Sequence, residues 1–153
     1  MRREIALSKL VPLEGTPCET AEGIAILPLE DGSFCLSLSK ADSGVPFHEQ
    51  DYLAMEFCVD MDWMPVMYFD FVQHTGEGEK VLSTSYFMIP TRRVKMAVKL
   101  TELDSHRFFL PTYPGTLKGH VHGEPTHIGY VDEIRIRLKQ NDGCRRFELY
   151  SLW

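Results

Sequence analysis

In the stretch "GHVHGEPTH", residues 119–127, three of the chain's six histidines and one carboxylate fall within nine positions. Imidazole nitrogens and carboxylate oxygens are the donors zinc and iron take, three or four of them converging at roughly 2.0–2.2 Å. His120 and His122 alternate, so a strand would hold both rings on one face. With Glu124 and His127 they form the candidate metal-ligating set. Gly123 and Pro125 mark the end of a strand, however, and put Glu124 in a turn. A polar loop with ordinary surface histidines is the simpler expectation.

His-x-His followed by glutamate is similar to the metal motif of cupins, which are also β-barrels. The spacing departs from that family, because only Gly123 separates Glu124 from His122 and no second histidine motif lies downstream. A cupin-like metal-dependent enzyme is therefore kept as an alternative.

Other chemistry is weaker. Asp60 and Asp62 alternate in "VDMDW", with Asp70 further on, and paired carboxylates can serve glycoside hydrolysis or calcium. The calcium-loop pattern lacks its third acid and its sixth-place glycine, so a solvated strand-end turn is expected. No Gly-x-Ser-x-Gly elbow, Walker loop or dinucleotide fingerprint occurs. "GEGEK" is turn punctuation.

Sugar binding asks for exposed aromatic rings beside polar or charged groups. Trp63 sits in the loop "MDWMP", Tyr113 in "LPTYPGTLKG", and Tyr68 on the polar side of its strand. Outward Arg93, Arg135 and Arg137 complete the candidate binding set: aromatics for stacking, guanidiniums for hydroxyls or for sulfate and uronate charges. A cross-strand charge ladder with capping aromatics is the competing expectation.

Strands must position these groups, because the dominant period is two. "DYLAMEFCVD" alternates Leu53, Met55, Phe57 and Val59 against Tyr52, Glu56 and Asp60. "PVMYFDFVQ", "RRVKMAVKL" and "YVDEIRIRLKQ" alternate likewise, the last burying Ile134, Ile136 and Leu138. "GIAILPL" and "SFCLSLS" flank "EDGS" as a predicted hairpin, and "NDG" predicts a second between "EIRIRL" and "RFELYSLW". "TELDSHRFF" makes one or two helical turns at most. Eight or more short strands with regular turns predict an all-β sandwich or barrel in one domain, residues 1–153.

Composition agrees. The 153 residues are 44% hydrophobic and 25% charged, a folded composition, and no apolar run reaches transmembrane length. Fourteen acids and one base lie between Val11 and Glu79, against twelve bases and seven acids from Lys80 onward. Acidic strands pairing with basic ones explain this; a face for an anionic or protein partner is the alternative. An acidic chain without a recognition motif excludes nucleic acid, and no membrane association is expected. Cys18, Cys35, Cys58 and Cys144 form no CxxC pair, and Cys35 and Cys58 read as small buried hydrophobes. The start has no secretory h-region, which implies the cytoplasm if Met1 is the native start and an extracellular setting if the chain is an excised module.

Four segments recur in a suggestive order: "YLAMEFCVDMDWMPVMYFDFV", "IPTRRVKMAVKL", "FFLPTYPGTLKG" and "VDEIRIRL…FELYSLW". Over roughly residues 50–153 the chain resembles the non-catalytic, galactose-binding-like jelly-roll β-sandwich found beside the catalytic barrel of agarases and related polysaccharide hydrolases. The resemblance implies a single antiparallel β-sandwich of jelly-roll type, non-enzymatic, that binds glycan or accompanies a carbohydrate-active catalytic domain. It also implies a possible structural calcium, for which Asp132 and Glu133 are the acids to test. No other cofactor is expected, and a protein-interaction sandwich remains a further alternative.

Overall fold

The computed structural model describes residues 2–101, 103–104, 116–139 and 143–153. Among these, eleven strands form: β1 (Val11–Glu14), β2 (Thr16–Thr20), β3 (Gly23–Leu27), β4 (Phe34–Ser39), β5 (Tyr52–Asp60) and β6 (Val66–Thr75). They continue as β7 (Gly78–Met88), β8 (Val94–Lys99), β9 (Thr116–Gly123), β10 (Glu133–Leu138) and β11 (Arg146–Leu152). A single α-helical turn, α1 (Lys40–Ser43), follows β4, with the Ser39 hydroxyl accepting from the Ala41 and Asp42 amides. The predicted helical turn in "TELDSHRFF" lies mostly outside the described residues.

The strands build two antiparallel sheets, ordered β1-β4-β10-β6-β7-β9 and β2-β3-β11-β5-β8. Eight of the strands divide four and four, β4, β10, β6 and β7 in one sheet and β3, β11, β5 and β8 in the other. That interleaving is a jelly roll, in which each of these strands except β7 lies in the sheet opposite the one before it. The expectation of a jelly-roll β-sandwich is met.

Alternation explains the interior. Phe34, Leu36, Leu38, Phe69, Phe71, Ile134 and Ile136 of the first sheet are fully buried against Met55, Phe57, Phe147 and Leu149 of the second. Phe34 stacks on Phe147 with ring centroids 4.5 Å apart, joining the sheets at their centre. Each such side chain contributes about 1.5–3 kcal/mol by leaving water.

Two predicted hairpins are corrected. β3 and β4 do not pair: β3 bonds to β2 and β11, while β4 bonds to β1 and β10. β10 and β11 likewise lie in different sheets. A turn sequence reverses the chain, but inward side chains decide whether its arms lie side by side or face to face. Around Asp31, whose carboxylate accepts the Ser33 amide at 2.9 Å, the reversal spans the two sheets. The β6–β7 connection is a true hairpin, with Thr75 opposite Gly78.

The charge pattern also finds its explanation. Arg137 of β10 binds Asp70 of β6, Arg135 binds Glu79, and Arg93 binds Glu22 and Glu56. The acidic first half and the basic second half meet between strands within each sheet.

Candidate functional site

The six-stranded sheet buries one side and turns the alternate residues outward. Strand register places Cys35, Arg137, Tyr68, Ser85 and His120 abreast on β4, β10, β6, β7 and β9. The next row is Ser37, Arg135, Asp70, Ser83 and His122. At about 4.8 Å between strands, each row runs about 19 Å across the sheet.

Two neighbouring networks hold this face. Asp70, 6% exposed, accepts both Nε and Nη2 of Arg137 and the Ser83 hydroxyl at 2.6 Å. The Arg137 guanidinium lies over the Tyr68 ring, its Cζ 4.3 Å from the centroid. Alongside, Arg135 donates two bonds to Glu79, at 3.1 and 2.8 Å, and two to Glu133, at 2.8 and 3.1 Å. Glu133 also accepts the Ser37 hydroxyl at 2.6 Å and lies 3.0 Å from His74 Nε2. Burial alone would raise the Glu133 carboxyl, but the bonds from Arg135 and Ser37 outweigh it and hold it near 2.

Beyond Ser83 and Ser85 the face becomes more open. The exposed His120 and His122 rings are near-parallel with centroids 6.2 Å apart, and Phe87 meets His120 edge-on at 6.1 Å. At the other margin, Ser37, Ser39, His74 and Glu133 floor a cleft of about 760 Å³ beside Lys40 and Asp132. Two guanidiniums and three carboxylates pair within the face, so it offers rings, imidazoles and spent charges rather than a free cationic patch.

The expected binding set is only partly brought together. Tyr68, Arg135 and Arg137 share this face. Arg93 lies on the other sheet, its guanidinium 3.9 Å over Tyr150. Trp63, 75% exposed, projects from the β5–β6 loop near the Asp60–Arg145 pair. Tyr113 lies outside the described residues. A single strip of all six therefore does not form. Arg135, moreover, uses Nε and both terminal nitrogens on protein carboxylates, which leaves it a positioning group.

The metal-ligating set does not converge either. Gly123 has φ +101° and turns the chain out of β9, so Glu124 leaves the strand as its sequence suggests. His127 Nδ1 accepts the Gly129 amide at 3.0 Å and caps a short 3-10 turn. Among the described residues no group of three His, Cys, Asp or Glu side chains gathers as a metal would need. Asp132 and Glu133 do not fit calcium, which takes six to eight oxygens. Asp132 Oδ2 accepts the His74 amide at 2.9 Å, and both Glu133 oxygens are held by Ser37, Arg135 and His74.

Sequence reasoning missed Ser37, His74, Ser83, Ser85 and Phe87. The signal was available, since "VLSTSYF" puts Ser83, Ser85 and Phe87 on one face by alternation.

No family model matches the sequence, and no curated protein does. Solved structures do. The chain is similar to PfGH50B, with a TM-score of 0.66 over 99% of its length at 11% identity. It is also similar to an exo-beta-agarase, with a TM-score of 0.61 over 95% of its length at 11% identity. The fold is one that PfGH50B and an exo-beta-agarase carry. It occupies 23% of each of those chains, so this chain spans about a quarter of their length. The resemblance read from the sequence and the likeness in three dimensions point the same way.

Among the described residues no helix is long and apolar enough to cross a membrane.

Proposed function

We propose that this β-sandwich is a non-catalytic module that accompanies a glycoside-hydrolase catalytic domain and binds saccharide on the outer face of its six-stranded sheet. The observation that carries the reading is the row Arg137–Tyr68–Ser85–His120, with Phe87 beside it. Rings stack on the apolar C–H faces of a sugar, while the exposed His120 and His122 imidazoles exchange hydrogen bonds with its hydroxyls. Because Asp70, Glu79 and Glu133 already neutralise Arg135 and Arg137, the fitting ligand is neutral and hydroxyl-rich rather than sulfated or uronic. The similarity to an exo-beta-agarase supports a galactose-based chain as the first probe.

The test is calorimetric titration of the domain with neutral and sulfated galactan oligosaccharides, repeated on His120→Ala and Phe87→Ala. Neutral oligosaccharides bind and both variants weaken them. Binding that both variants leave unchanged, or a preference for sulfated chains, overturns the reading.

A further inference from the structure

A second cleft, of about 650 Å³, opens on the other side of the β6–β7 hairpin. Gln73 and His74 are consecutive, so their side chains point to opposite faces; His74 belongs to the face described above, whereas Gln73 and its partner Lys80 line this cleft. The segment that carries Thr126, His127 and Tyr130 forms the opposing wall, and Asp104 completes it.

Three features of this cleft suit a ligand. Tyr130 is 65% exposed, a large ring left in water and more open than any other tyrosine among the described residues. Its orientation is set from behind by His127, which meets it edge-on at 5.9 Å and is itself fixed by the Gly129 amide. Thr126 Oγ1 is buried and has no hydrogen-bond partner among the described residues. A buried hydroxyl left unpaired is costly, so Thr126 gains if its side chain rotates to present Oγ1 to a group in the cleft. The Thr126 amide donates to the Leu103 carbonyl at 3.1 Å, which holds this wall against the residue preceding Asp104.

We infer that the Tyr130 cleft is a second saccharide subsite, distinct from the sheet face. Tyr130 serves as the stacking platform. Thr126 Oγ1, the Gln73 amide, Lys80 and Asp104 meet hydroxyls, and the opposite charges of Lys80 and Asp104 select a neutral chain over an anionic one. The inference rests on the reading of the domain as a saccharide-binding module; the subsite itself is independent of the sheet face.

The experiment is a backbone-amide NMR titration of the domain with neutral agarose-derived oligosaccharides, on wild type, Tyr130→Ala and Thr126→Val. Shifts at residues 126–130 and 73–80 that weaken about five- to tenfold in Tyr130→Ala, with melting temperature unchanged, are expected. Thr126→Val keeps shape and loses the hydroxyl, and a weaker affinity there is expected too. Shifts confined to residues 68–70, 83–87, 120–122 and 135–137 overturn this subsite and leave the sheet face standing. Shifts confined to the Tyr130 cleft support the subsite and overturn the sheet face. No shift at either place overturns both.

Discussion

Arg137 lies over the ring of Tyr68 with its Cζ 4.3 Å from the centroid, while Asp70 holds the same guanidinium by two nitrogens. One side chain thus ties an acidic strand to a basic one and fixes the tilt of an aromatic ring on the outer face. Arg137→Met keeps the stem over Tyr68 but leaves Asp70 buried with Ser83 alone. It is expected to cost about 2–3 kcal/mol in urea denaturation, and adding Asp70→Asn is expected to restore part of that loss. Additive losses would show that the pair is not coupled.

Acid stability depends on Glu133. Its carboxyl is held near 2, below its unfolded value of 4.5, so its contribution is fully present above that value and is lost as pH falls toward 2. Glu133→Gln is expected to flatten the loss of stability between those limits, by at most about 3 kcal/mol. Chemical denaturation at stepped pH measures it; parallel wild-type and variant curves would refute it.

Arg135→Ala is expected to destabilise rather than simply to weaken ligand binding, because Glu133 and Glu79 lose their shared partner. A loss of about 2 kcal/mol is anticipated. Trp63→Ala, at an exposed loop tip, is expected to stay within about 0.5 kcal/mol of wild type. Thermal melts of the two variants separate these roles, and equal effects would contradict them.

The thiols are expected to react in sequence. Cys35 and Cys144 are pushed up to about 11 by burial, while Cys18 is exposed. A thiolate-specific reagent at pH 8 should show a fast phase from Cys18 that Cys18→Ser removes, with Cys35 and Cys144 reacting only after denaturant is added. Fast modification of all four in the native protein would mean that the sheets open readily.

Strand identities were legible because Leu53, Met55, Phe57 and Val59, or Ile134, Ile136 and Leu138, each bury one side of a strict alternation. Pairing was not. "EDGS" and "NDG" announce reversals, yet both carry the chain between sheets, since partner choice is set by residues far away, such as Phe34 against Phe147. The charge segregation foretold cross-strand ion pairs but not their selectivity. Alternation alone cannot show that Arg93 and Arg137 belong to different sheets, so the expected six-residue strip divided. His120 and His122 were placed correctly on one face, but what lies across from them, Ser85 and Ser83, depends on a register that only the fold supplies.

The last two strands of the sequence lie in the middle of their sheets, β10 between β4 and β6, and β11 between β3 and β5. During synthesis, the earlier strands therefore leave the ribosome with their partners still to come. Four strands that will flank the gaps must wait with unpaired edges until residues 133–152 emerge. Folding of this unit is thus a late, zipper-like closure governed by long-range pairings, slow by the standards of its size and open to capture by chaperones while it waits.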